Sequence, residues 1–182
     1  TSVTFTASGE TCTLDYDTNG NLTTKVCPGG TTTYGWDAQD RLIAINGPGM
    51  VASFRYDALG RRIERTVNGA TTGYLYDGVQ AIAEFGVEDA GLLTGLAIDE
   101  ALGRFAGSGN LTLLTDALGS VVAEARADQS VATRYGYSPY GETVRSGEES
   151  GSSTRYTGRE EDGTGTLYYR ARYYDPLFKR FS

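Results

Sequence analysis

The chain has 182 residues, 23 of them acidic and 16 basic, for a net charge of −7, and it contains no histidine. The missing imidazole excludes every Ser-His and Cys-His catalytic pair and the commonest transition-metal ligand. The acidic balance argues against general affinity for nucleic acid. With 25 Gly and 13 Tyr but 4 Pro, 1 Met and 1 Trp, the composition predicts short strands joined by tight turns, an all-β fold. No stretch approaches the ~18 apolar residues of a membrane span, and Thr1 to Thr6 is neither basic nor apolar enough for a signal peptide. A start at Thr1 rather than Met reads as a fragment or a processed product.

Along residues 1–85 four blocks recur with a period of twenty: Leu14-Asp15-Tyr16-Asp17, Tyr34-Gly35-Trp36-Asp37, Phe54-Arg55-Tyr56-Asp57 and Tyr74-Leu75-Tyr76-Asp77. The two large residues of each block are separated by one residue, so on a strand they share a face and form a packing row. A turn signal follows each Asp. Asp17, Asp37 and Asp57 can accept bonds from backbone amides, and Gly20 and Gly60 suit a closing residue with positive φ. Each repeat therefore predicts a hairpin. The returning strands carry Leu22, Leu42, Ile63 and Ile82, with Arg62 read as a one-residue bulge in the third repeat. A single hairpin cannot bury its aromatic row, so the units are expected to pair edge to edge in sequence order, with Leu14, Tyr34, Phe54 and Tyr74 in register.

Residues 86–113 read as an irregular Gly-rich connection. Residues 114–182 resume the pattern, with a turn at Asp116 to Gly119 and paired aromatics at Tyr135 and Tyr137; residues 146–154 read as a mobile loop. Cys12 and Cys27 flank the first hairpin nearly opposite one another, which leaves open a cross-strand disulfide or two free buried thiols. Asp15, Asp17 and Asn19 reproduce the start of a calcium loop, but Val26 stands at its twelfth position, which favours a plain turn. Glu160, Glu161 and Asp162 form the densest carboxylate run and read as a solvated turn rather than a hydrolytic pair. Taken as one strand, Leu167 to Tyr174 presents Leu167, Tyr169, Ala171 and Tyr173 on one face, and Tyr168, Arg170, Arg172 and Tyr174 on the other. No residue is assigned a catalytic role, and no cofactor or metal is expected.

The four blocks resemble the Rhs/YD-repeat proteins. The second half resembles their Rhs-associated core region through Ile98-Asp99-Glu100, Thr115 to Val121, Tyr137 to Glu142, Tyr156-Thr157-Gly158-Arg159-Glu160, and Leu167 to Pro176, which contains Tyr168, Arg170, Arg172, Tyr173, Tyr174, Asp175 and Pro176. The resemblance implies a β-sheet spiralling into part of a hollow cocoon-like shell around a C-terminal toxic domain. It also implies a secreted or extracellular location and delivery through a contractile system or an insecticidal complex. The expected partners are further YD-repeat sheet of the same shell, on this or another chain, and the enclosed toxin. In the family, paired aspartates that free the toxin lie beyond the Arg-Phe corresponding to Arg180-Phe181, and Lys179 stands where Gly is usual, so cleavage is assigned to no residue here. An extracellular adhesion or glycan-binding module is the alternative.

Overall fold

A computed structural model of the protein describes residues 2–7 and 10–182. Thr1, where the first repeat is expected to begin, lies outside the described residues. Fifteen strands pair antiparallel in sequence order in one sheet: β1 (Ser2–Ala7), β2 (Glu10–Tyr16), β3 (Leu22–Cys27), β4 (Gly30–Trp36), β5 (Leu42–Gly47), β6 (Met50–Tyr56), β7 (Arg62–Val67), β8 (Ala70–Asp77), β9 (Gln80–Gly86), β10 (Ala90–Thr94), β11 (Ala101–Ala106), β12 (Gly109–Thr115), β13 (Val121–Ala125), β14 (Val131–Tyr137) and β15 (Thr143–Gly147). Short strands follow: β16 (Glu160–Glu161), β17 (Leu167–Tyr169), β18 (Arg172–Asp175) and β19 (Arg180–Phe181). Among the described residues no helix is long and apolar enough to cross a membrane. The chain divides into two compact units, Thr1–Thr71 with Gly163–Ser182, and Thr72–Asp162.

In the first unit the repeats are not in simple register. Leu14 stands opposite Lys25, and Lys25 opposite Thr32. Likewise Tyr34 stands opposite Ile45, and Ile45 opposite Ala52. Each block therefore keeps its face but advances two residues past the one before. A step of about 6.7 Å along the strands for about 9.6 Å across them tilts the strands by roughly 35°, the tilt of curved and closed sheets. The expected in-register column is replaced by this stagger.

The bulge is also not peculiar to the third repeat. Thr23, Ile43 and Ile63 are the extra residues on β3, β5 and β7, and Ile82 repeats the pattern on β9 of the second unit. The residues opposite the second aromatics are Leu22, Leu42, Arg62 and Ala81. Arg62 thus occupies the packed position that Leu42 occupies one repeat earlier, and Ile63 is the bulged residue.

In the second unit, the stretch expected to be irregular holds β10, β11 and β12. Glycines at 91, 103 and 109 interrupt the apolar alternation that marks a strand, yet the backbone pairs throughout. The loop expected at 146–154 is anchored: Ser152 and Ser153 are buried, and Thr154 bridges Glu160.

Candidate functional site

The Asp of each of the first three repeats closes its own turn, whereas Asp77 ends β8 opposite Gln80. The Asp57 Oδ1 accepts from the amides of Leu59 and Arg61 at 2.9 Å each, and Asp17, Asp37 and Asp116 repeat the arrangement with the amides two and four residues on. Loss of surrounding water pushes the Asp57 carboxyl up, but bonds from Arg61 and Leu59 hold it below the ordinary range. Gly20, Gly60 and Gly119 close these turns with φ of 90°, 80° and 79°, a region glycine enters without a Cβ penalty. Asp40 fills the same place in the second repeat and links to the first, accepting from the side-chain amides of Asn19 and Asn21 at 2.9 and 2.7 Å. The three residues of the calcium candidate are placed apart in role: Asp15 lies on β2 opposite Thr24, both Asp17 oxygens accept from amides of its own turn, and Asn19 donates to Asp40.

In the second and third blocks, and again at Tyr137, the second aromatic ties its strand to the preceding one. Trp36 Nε1 donates to the Leu22 carbonyl at 2.8 Å, Tyr56 Oη to the Leu42 carbonyl at 2.8 Å, and Tyr137 Oη to the Val121 carbonyl at 2.6 Å. Each acceptor lies beside a bulge, where ladder pairing is interrupted and a carbonyl needs a substitute donor. A signal for this was present in the sequence. The first aromatic position varies through Leu14, Tyr34, Phe54 and Tyr74, whereas the second is always a residue with a ring donor: Tyr16, Trp36, Tyr56, Tyr76.

The packed face of the first unit is covered by the chain's own C-terminal motif. Leu167 to Tyr174 is not one strand: Arg170, at φ 59°, turns the chain between β17 and β18, pairing Tyr168 with Tyr173 and Tyr169 with Arg172. Tyr168 and Tyr173 therefore share a face and pack with Leu42, Ile45 and Phe54, while Tyr16, Tyr34, Trp36 and Tyr56 border the same clusters. Arg62, fully buried, lies beneath them. Its guanidinium sits 4.0 Å from the Tyr168 ring centroid, and it donates to Tyr173 Oη at 3.2 Å. A flat delocalised cation between rings suits Arg where an ammonium would not serve. Nothing in the residue pattern announced this role, since Arg62 reads there as a bulge.

Nearby, Cys12 and Cys27 form a disulfide, with Cα atoms 4.4 Å apart, joining β2 to β3. Cys12 packs with Leu14, Leu22 and Phe178. Asp175 caps the following turn, accepting from the Leu177 and Phe178 amides at 3.0 and 3.2 Å, and faces Lys25 at 3.7 Å. Burial pushes its carboxyl up, and Lys25 opposes the rise. On the opposite face Tyr169, Tyr174 and Phe181 cluster with ring centroids 5.1 to 6.0 Å apart, beside the exposed Arg172.

In the second unit, family-like segments far apart in sequence converge. Arg159 forms a two-pronged pair with Asp99, at 2.6 and 3.2 Å. Gly158, at φ 69°, lies so close that a Cβ would come within 2.6 Å of the Asp99 carbonyl. The Thr157 amide donates to Ser120 Oγ, and Tyr156 donates to the Pro139 carbonyl and stacks near Tyr137. Tyr74 is buried on the packed face of β8, 6.5 Å from Tyr76. Of the Glu160-Glu161-Asp162 run, expected to be a solvated turn, Glu160 and Glu161 instead form β16 and Asp162 after it is buried.

The same unit buries a charge network. Arg104 is held by Glu84 at 3.0 Å and Glu88 at 2.9 Å, and bonds from Ser108 and then Arg104 hold the Glu88 carboxyl down at about 2. Glu124, fully buried, accepts from Tyr135 Oη at 3.2 Å and faces Arg155 at 3.5 Å. At the surface beside it, Arg126 pairs with Glu148, and Arg145 with Glu149. None of these charged residues was singled out from sequence, because most of them fall in or beside the stretches taken as irregular.

The RHS Repeat family model matches residues 16–49 and 36–72, so the first hairpins carry RHS repeats. No curated protein matches the chain. The fold is similar to that of TcdB2-TccC3 without its hypervariable C-terminal region (TM-score 0.65, 19% identity, 94% of this chain and 12% of that chain). It is similar also to TcdB2-TccC3-Cdc42 (TM-score 0.65, 20% identity, 97% and 12%) and to the Photorhabdus luminescens Tc holotoxin pore with a mutated TccC3 (TM-score 0.63, 18% identity, 94% and 12%). The chain thus spans 12% of the length of these structures. The chain is thus an all-β sheet protein whose residues 16–72 match the RHS Repeat model.

Proposed function

We propose that this chain is a wall segment of a hollow YD-repeat shell that encloses a toxic domain and carries it outside the producing cell. The observation that carries the reading is the order of the sheet: strands pair in sequence order, and the repeats of the first unit advance by a constant two-residue step. Such a sheet grows by adding repeats, each contacting its neighbours, and its tilt suits a curved wall. The edge supports continuation. β15 pairs with β14 among the described residues, all five of its residues are exposed, and it carries neither proline nor lysine. The converging segments at Asp99, Ser120, Pro139 and Arg159 agree with a core region of the Rhs type. The Cys12–Cys27 disulfide agrees with an oxidising, extracellular setting. The role is structural: packing, turn and clamp residues account for the repeated positions. Mass spectrometry of native particles tests it. The 182 residues are expected to travel with larger repeat-bearing sheet and a cargo protected from protease, and recovery of this segment without either would refute it.

A second reading, an extracellular glycan-binding module, draws on the Tyr169, Tyr174 and Phe181 rings beside Arg172. Saturable binding on a glycan array that is lost in Tyr174→Ala would favour it.

A further inference from the structure

The second unit contains a cavity of about 460 Å³ against the packed face of β11 to β14. Its floor includes Arg104, Leu111, Glu124 and Thr133, and the Arg126 to Asp128 turn and residues 148–151 border it. The space suits a small organic molecule rather than a single water. We propose that this cavity binds an organic cation, an ammonium or guanidinium group, with Glu124 as its principal acceptor.

Three observations carry this. Glu124 is fully buried, and its Oε2 has no hydrogen-bond partner among the described residues, although Oε1 is engaged by Tyr135 and Arg155. A buried carboxylate oxygen without a donor is costly, so a donor that enters the cavity and shifts the side chains covering Oε2 gains that interaction. The charges that line the cavity are unequal: four carboxylates, at 124, 128, 148 and 149, against two guanidinium groups, at 104 and 126. Finally, Arg104 is already shared between Glu84 and Glu88, so the floor offers an anion no uncommitted partner. A metal ion is disfavoured, because guanidinium groups flank the carboxylates and no cluster of three or more metal-ligating side chains occurs among the described residues. The ligand chemistry is an N–H cation, either a free polyamine or a lysine or arginine side chain of an enclosed or neighbouring polypeptide.

Isothermal titration of the full chain with spermidine and with N-acetyl-arginine amide tests the proposal. Saturable binding of one ligand per chain is expected, weakened at least about tenfold by Glu124→Gln. Tighter binding of the arginine amide identifies a polypeptide side chain as the source, and tighter binding of spermidine a free polyamine. Ala127→Trp, on the exposed turn at the rim, is expected to fold normally and to abolish binding by filling the mouth, which decides the matter if Glu124→Gln does not fold. No saturable heat with either probe at millimolar concentration, or an affinity unchanged in the variants, would overturn the proposal.

Discussion

Tyr56 Oη donates a 2.8 Å hydrogen bond to the carbonyl of Leu42 in the preceding repeat, beside the bulge at Ile43. With the same bond from Trp36 to Leu22, it assigns both letters of the repeat a job. The Asp closes its own turn, and the Tyr closes the gap that the previous bulge leaves in the ladder. Tyr56→Phe should therefore destabilise the fold by about 1–3 kcal/mol, the range for stranding a buried acceptor. Tyr34→Phe, at the first aromatic position, should stay within about 0.5 kcal/mol. Chemical denaturation of the two variants makes the comparison.

Arg62 binds the C-terminal motif to the repeats. Arg62→Ala is expected to cost about 3–5 kcal/mol, through a cavity beneath the rings and loss of the bond to Tyr173. Arg62→Lys should not restore it, since an ammonium cannot lie flat against Tyr168. Limited trypsinolysis provides a local readout: cleavage after Arg170, in the turn joining β17 to β18, should accelerate in both variants.

Replacement of Cys12 and Cys27 by Ala removes a cross-link between residues fifteen apart, which should cost about 3 kcal/mol. Because Cys12 packs against Phe178, hydrogen exchange should rise at 175–182 as well as in the first hairpin. Non-reducing peptide mapping of fresh protein should recover the two cysteines as one linked peptide.

The acid response should reveal Glu88. Its carboxyl is depressed to about 2 by Ser108 and Arg104 from an ordinary value of 4.5. A depressed folded-state value means that the stabilisation is present above 4.5 and is lost as pH falls from there toward 2. Glu88→Gln should flatten the dependence of melting temperature on pH within that window and change little of its slope at neutral pH.

Much of the fold was legible because the repeat places hairpin, turn and packing row at one spacing. Asp57 and Gly60 announce the turn through side-chain chemistry, and Tyr16, Trp36 and Tyr56 announce a face through alternation. What escaped was set by contacts distant in sequence. The two-residue stagger depends on a bulge that Thr23 and Ile43 do not advertise. Arg62 occupies a leucine position because Tyr168 and Tyr173, over a hundred residues later, supply rings to hold it. Leu167 to Tyr174 alternates as one strand would, yet folds back at Arg170, where the left-handed conformation is unusual for an arginine. Residues 86–113 looked irregular because glycines occupy positions where an apolar side chain would have marked the strand.

The central claim, a sheet segment that docks onto further sheet, is tested most directly by sedimentation velocity of the isolated chain across a wide concentration range. β15 presents an exposed edge without proline or lysine, so concentration-dependent association of folded protein is expected, reduced when Arg145→Pro, at a position whose N–H points away from β14, removes an outward donor from β15. A folded monomer, monodisperse at high concentration and stable on dilution to nanomolar levels, would contradict it.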